Sequence, residues 1–151
     1  MGTPSSSVAE ELVATDARKD DAVDLVAFVD SSAIVALVDR NDATHEAAVA
    51  AYKDLLAQGY KLFTTNHVIA ETVSLLSEGA GAGVARQWLR DHRLAVYHAD
   101  EQDEQRARAL VIGSHSERGL SYVDAISLVV MERLGIADAF AVDTHFLSET
   151  N

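Results

Sequence analysis

LVAFVDSSAIVALV, residues 25–38, decides the fold, because an apolar run within it changes into a helical pattern at a single acid. The opening LVAFV is continuously apolar, which is typical of a strand buried on both faces. Ser31 or Ser32 can cap a helix that runs through residues 33–38. The stretch therefore predicts a strand followed at once by a helix, with Asp30 at the junction.

The same alternation of short apolar runs and longer amphipathic runs continues along the chain. It predicts βαβ units and hence an α/β fold with a parallel sheet. We expect strands at 25–29, 61–64, 94–98 and 139–142. We expect helices at about 33–38, at 43–57 with Asp42 as cap, from 66, around Trp88 and Leu89 with both facing inward, at 100–116, and from 121 to near 135.

Length and composition indicate one packed domain with an extension at its start. The chain has 151 residues, of which 48% are hydrophobic. Residues 1–24 are rich in Ser, Ala, Asp and Glu without a sustained period, so we interpret them as a flexible acidic extension and residues 25–151 as the domain. Cysteine is absent, which excludes disulfides and thiolate metal sites. No apolar run approaches the ~18 residues of a membrane span, so we expect a cytoplasmic protein.

The net charge of −12 is the opposite of the charge expected of a nucleic-acid binder. Two interpretations remain compatible with a nucleic-acid substrate. A site that holds divalent cations needs local negative charge, and an acidic, lysine-poor surface suits a salt-rich cytoplasm. Plain solubility explains the charge equally well.

Four carboxylates stand where their neighbours predict burial, namely Asp30, Glu71, Asp124 and Asp143. Asp30 and Asp143 follow the carboxyl ends of two expected strands, where ligands bind in open parallel sheets. Glu71 lies within an apolar helix stripe, and Asp124 lies in the first turn of a strongly apolar helix. Each acid also has a structural explanation. Asp30 and Asp143 could be turn residues, Glu71 could pair with Arg86 or Arg90, and Asp124 could form a capping box with Ser121.

If these carboxylates converge, their mutual repulsion needs a counter-charge, and a hard divalent cation supplies it. Oxygen ligands without cysteine favour Mg²⁺ or Mn²⁺ over Zn²⁺. Mg²⁺ commonly keeps waters and binds substrate phosphates as well. The pattern therefore predicts a phosphodiesterase that needs no side-chain nucleophile.

Five blocks of the chain, in order, resemble the PIN-domain family and especially its VapC-type toxins. They are FVDSSA (28–33), NDATHEAA (41–48), AET (70–72), LSYVDA (120–125) and AVDTHF (141–146). The resemblance covers about residues 26–147. It implies a parallel sheet sandwiched by helices, and cleavage of RNA. It also implies that Mg²⁺ or Mn²⁺ is held by Asp30, Glu71, Asp124 and Asp143, and that Ser31 or Ser32 makes a polar contact. Thr144 departs from the pattern, because many relatives have Arg beside the fourth acid.

The resemblance also implies partners: an RNA substrate, a cognate antitoxin protein and a second copy of the chain in a homodimer. Because RNA phosphates must approach an acidic protein, we expect Arg40 and Arg118 to supply positive charge near the site, with Thr144 as a further substrate contact. Two other functions share these residues. One is a non-catalytic PIN-like binding module, and the other is a PIN nuclease that acts in RNA processing rather than as a toxin.

Overall fold

The computed structural model describes residues 24–115 and 119–142, and these form four parallel strands flanked by six helices. The strands are β1 (Val26–Val29), β2 (Lys61–Thr65), β3 (Ala95–Tyr97) and β4 (Asp138–Phe140). The helices are α1 (Ser31–Val38), α2 (His45–Ala57), α3 (Asn66–Gly79), α4 (Ala82–Asp91), α5 (Glu101–Gly113) and α6 (Tyr122–Leu134). The α/β class and the parallel sheet predicted from the sequence are confirmed.

The sheet has the order β3-β2-β1-β4, so the chain moves outward from β1 in one direction and then returns to its other side. Strand β1 pairs in parallel with β2 through Phe28 and Phe63, and with β4 through Phe28 and Ala139. The rings of Phe28 and Phe63 meet edge to face at 5.7 Å between their centroids. The change of direction beside β1 creates a crevice at the carboxyl ends of β1 and β4, which is the usual ligand position in such sheets.

Helix α1 begins one residue after β1, and Asp30 is its N-cap. The Asp30 carboxylate accepts a hydrogen bond from the Ser32 N–H, which satisfies one of the free amides of the first turn. The expectation that Ser31 or Ser32 caps this helix is therefore wrong. Both serine hydroxyls point elsewhere, because each bonds to a carboxylate.

Helix α2 starts at His45, not directly after Asp42 as expected. Asp42 accepts hydrogen bonds from the Thr44 N–H at 2.8 Å and from the Thr44 hydroxyl, which closes a local turn. These bonds lower the pKa of Asp42 from its ordinary value. The side chain thus competes with the helix that it was expected to cap.

Leu89 does not face inward as the sequence suggested, since 47% of it is exposed. Trp88 is partly buried against the core. Adjacent residues of a helix point about 100° apart, so α4 can direct only one of the two at the sheet. No helix in the described ranges has the length and apolar character that a membrane span requires.

A charged network fixes the start of α5 to the end of α6. Arg133 contacts both Asp100 and Asp103 at 2.8 Å, and the Tyr97 hydroxyl donates to Asp103 at 2.9 Å. Burial alone would raise the pKa of Asp103, but hydrogen bonds from the Asp100 N–H, Arg133 and Tyr97 lower it. Asp103 is therefore a paired structural acid, and it anchors α5 to α6.

Candidate active site

Asp30 lies at the carboxyl end of the central strand, with 5% of the residue exposed. Its N–H donates to the Phe140 carbonyl at 3.0 Å, which fixes the acid to the end of β4. Its Oδ2 accepts from the Ser32 hydroxyl at 2.6 Å and from the Ser32 N–H at 3.1 Å. Its Oδ1 is buried and has no hydrogen-bond partner among the described residues.

The ionised form of Asp30 is disfavoured in this place. Burial raises the pKa of Asp30 most strongly, the Ser32 hydrogen bonds act in the opposite direction, and the nearby Glu71 charge raises it further. The net pKa is above the ordinary value of 3.8. A positive charge next to Oδ1 would relieve both unfavourable effects.

Glu71 comes to the same crevice from α3, the helix that follows β2. The Ser31 hydroxyl donates to Glu71 Oε1 at 2.6 Å, across 40 positions of sequence. No ion pair in the described part of the chain joins Glu71 to Arg86 or Arg90, and Arg90 lies beside Asp91. The structure thus brings Asp30 and Glu71 together and does not support the ion-pair explanation of Glu71.

Ser32 connects the first acid to the chain after β4. Its hydroxyl donates to Asp30 Oδ2 and accepts from the Val142 N–H at 3.0 Å. Val142 immediately precedes Asp143, which lies outside the described residues. Since β4 ends at Phe140 rather than Val142, two residues separate that strand from Asp143.

Asp124 lies in the first turn of α6, and 7% of the residue is exposed. Its N–H donates to the Ser121 hydroxyl at 3.0 Å, so Ser121 is the N-cap and half of the expected capping box is present. This bond uses the Asp124 backbone N–H rather than its carboxylate.

Of the predicted substrate contacts Arg40, Arg118 and Thr144, only Arg40 is among the described residues. Arg40 is exposed beyond the C-terminal end of α1, whereas Asp30 caps the N-terminal end. Arg118 and Thr144 lie outside the described residues. Within residues 24–115 and 119–142, no three His, Asp or Glu side chains form a group that could hold a metal ion.

The residues that are described nevertheless fit a divalent cation. The donors are carboxylate oxygens, one of which is buried without a hydrogen-bond partner among the described residues, and a second carboxylate close by adds negative charge. Hard cations such as Mg²⁺ and Mn²⁺ prefer such oxygens. The same features do not suit a thiolate or imidazole site.

Three residues beside the crevice were not among the candidates that the sequence indicated. His67, Glu104 and Tyr122 form a contact in which His67 Nε2 is 3.7 Å from Glu104 Oε2 and the Tyr122 hydroxyl donates to Glu104 Oε1 at 3.1 Å. The sequence signal that could have indicated this group is the spacing of His67 and Glu71. They are four residues apart in a predicted helix, which places both side chains on the same side of it.

Comparison with known proteins places this architecture in context. A family model of the PIN domain matches residues 27–149. The 23S rRNA-specific endonuclease VapC20 of two Mycobacterium tuberculosis strains is 37% identical over 123 residues, spanning 79% of this chain and 90% of VapC20. A crystal structure of M. tuberculosis VapC20, a sarcin-ricin loop cleaving toxin, matches with a TM-score of 0.69 at 34% identity, covering 82% of this chain and 93% of that one.

Proposed function

This chain belongs to the PIN domain family, and from that membership we propose that it is a divalent-metal-dependent endoribonuclease, the toxin of a toxin–antitoxin pair. The endonuclease activity is supported by the 37% identity to a 23S rRNA-specific endonuclease over most of both chains. Ribosomal RNA is therefore the first substrate to test, and a VapB-type antitoxin is the expected protein partner. Homodimer formation stays a prediction.

The observation that carries the proposal is the buried Asp30 beside Glu71. A purely structural acid in a core is normally satisfied by donors, as Asp103 is by Tyr97 and Arg133. Asp30 instead keeps one buried oxygen without a partner among the described residues, and its pKa is raised. The raised pKa and the adjacent Glu71 support an enzyme over a non-catalytic binding module.

Asp30, Glu71, Asp124 and Asp143 are the residues that would hold Mg²⁺ or Mn²⁺. When bound, such an ion lowers the pKa of water and neutralises the charge that develops on the phosphate during hydrolysis. Ser32 keeps Asp30 Oδ2 turned inward, and Ser31 keeps Glu71 directed at the crevice. The protein's own contribution is thus to fix carboxylates in place at the carboxyl ends of the strands.

Incubation of the protein with ribosomal RNA and Mn²⁺ tests the proposal. We expect internal cuts that stop when the metal is chelated and that are absent with Asp30→Asn. Co-expression with the product of the adjacent gene should suppress both cleavage and any growth defect. Cleavage that survives in the metal-free protein and in Asp30→Asn would contradict the assignment.

A further inference from the structure

His67, Tyr122 and Glu104 form an ordered group at the carboxyl-terminal edge of the sheet. The His67 and Tyr122 rings are 5.6 Å apart between centroids and inclined at 59°. The Tyr122 hydroxyl donates to Glu104 Oε1 at 3.1 Å. This bond fixes the orientation of the ring.

This group lies next to the carboxylate crevice. His67 and Glu71 are separated by one helical turn of α3 and lie on the same side of it, which places their side chains as neighbours. Tyr122 points away from Asp124 around α6, and it reaches this side of α3 through its ring contact with His67. A polynucleotide with one phosphate at Asp30 and Glu71 would therefore bring a neighbouring nucleotide over the aromatic pair.

An open depression of about 560 Å³ adjoins the ring, and Tyr122 itself is 37% exposed. Its lining combines an aromatic ring, a cation, an amide and carboxylates, from Tyr122, Arg108, Gln105, Glu101 and Glu104. Single-stranded RNA is recognised by stacking of bases on aromatic rings, by hydrogen bonds to base edges and by arginine. The depression offers each of these contacts.

We propose that this depression binds an unpaired base of the RNA substrate, with Tyr122 as the stacking surface. The inference rests on the proposed function. Glu101 and Gln105 can accept hydrogen bonds from exocyclic amino groups, and Arg108 can contact a phosphate or stack on the base. Because the lining carries two carboxylates, the site favours adenine, cytosine or guanine, which carry an amino group, over uracil.

The test is an abasic scan of an oligoribonucleotide that the parent protein cleaves. Each position near the cut is replaced in turn by a sugar without a base, and cleavage is measured for the parent, Tyr122→Leu and Tyr122→Phe. The parent should lose at least about fivefold in kcat/KM at one position, the lower range of base–aromatic stacking. Tyr122→Leu should cleave the intact RNA that much more slowly and be insensitive to the abasic sugar there. Tyr122→Phe, which keeps the ring, should behave as the parent.

A second pair of variants keeps the inference testable if Tyr122→Leu does not fold. Arg108→Gln should raise KM, whereas Arg90→Gln, an exposed arginine on α4, should not. Equal abasic sensitivity in the parent and Tyr122→Leu, or equal KM for both arginine variants, would overturn the base site while leaving the nuclease intact. Absence of metal-dependent cleavage by the parent would instead refute the proposed function itself.

Discussion

Ser31 and Glu71 are joined by a hydrogen bond of 2.6 Å between the serine hydroxyl and Glu71 Oε1. The bond links α1 and α3, the helices that follow the adjacent strands β1 and β2. Ser31 is buried and directly follows Asp30 in the chain. It therefore sets the position of one predicted metal ligand relative to another, and we propose that it acts as a positioning residue.

Ser31→Ala should weaken metal binding while leaving the fold intact. Loss of a group that orients a metal ligand typically reduces metal affinity or activity by about 10- to 100-fold. The measurement is a Mn²⁺ titration followed by thermal melting, together with cleavage rates at saturating Mn²⁺. Ser127→Ala is a matched control, because among the described residues that buried hydroxyl bonds only to the Val123 carbonyl within α6. An equal effect of both substitutions would indicate general destabilisation.

Asp30→Asn should stabilise the metal-free protein in a pH-dependent manner. Burial, and to a lesser degree Glu71, raises the pKa of Asp30 above 3.8, so ionisation of this group disfavours the folded state. The parent therefore loses stability as the pH rises from about 3.8 through the raised pKa, and above it the loss is constant.

Asparagine caps helices as well as aspartate does and has no such titration. The stability difference between Asp30→Asn and the parent should therefore be small in acid and reach a plateau at higher pH. Denaturant unfolding at a series of pH values measures it. A difference that does not change with pH would show that Asp30 has no raised pKa.

Asp124→Asn distinguishes a metal ligand from a helix-capping residue. If the Asp124 carboxylate holds metal, the variant should lose cleavage by at least about 100-fold while unfolding at nearly the same denaturant concentration. Ser121→Ala is the complementary variant, because it removes the side chain that accepts from the Asp124 N–H. It should cost about 1 kcal/mol of stability and leave the metal response unchanged. The reverse pattern would assign Asp124 to structure alone.

Removal of residues 1–24 should leave the domain folded and active. Among the contacts of the described residues, the deletion removes the Asp24 carboxylate 3.8 Å from Lys61 Nζ, where both side chains are about 70% exposed. Exposed ion pairs contribute roughly 0–1 kcal/mol. Thermal melting and RNA cleavage by the truncated chain provide the test, and a stability loss well above that range would show that the extension packs on the domain.

The sequence indicated where the acids lie better than it indicated which residues contact them. Apolar runs before Asp30 and around Glu71 and Asp124 located these residues, because burial of strands and helix faces is periodic and local. The Ser31–Glu71 contact spans 40 residues and depends on how two helices pack, so no local pattern reports it. The capping role of Asp30 was missed for a related reason, since Ser32 satisfied the sequence rule for a cap while its hydroxyl binds the aspartate.

The sequence predictions of helix starts and side-chain directions were wrong in two situations. In one, a side chain competes with the backbone for hydrogen bonds; in the other, neighbouring residues point in different directions around a helix. Asp42 closes a turn with Thr44 and so delays α2. Leu89 is exposed because Trp88 occupies the inward direction of α4. Arg40 follows Asp30 by only ten residues, yet α1 carries it to the opposite end.

The central claim is that Asp30 and Glu71 belong to a metal site for RNA cleavage. The most direct test compares the parent with Asp30→Asn and Glu71→Gln. Thermal melting of each protein is measured with and without Mn²⁺, and cleavage of ribosomal RNA is followed in parallel. At a Mn²⁺ concentration 100 times the dissociation constant, the parent should gain about 2.7 kcal/mol and cleave the RNA. Each variant should lose most of that gain and its cleavage while remaining folded. A variant that keeps the full Mn²⁺-induced stabilisation and full cleavage would contradict the account.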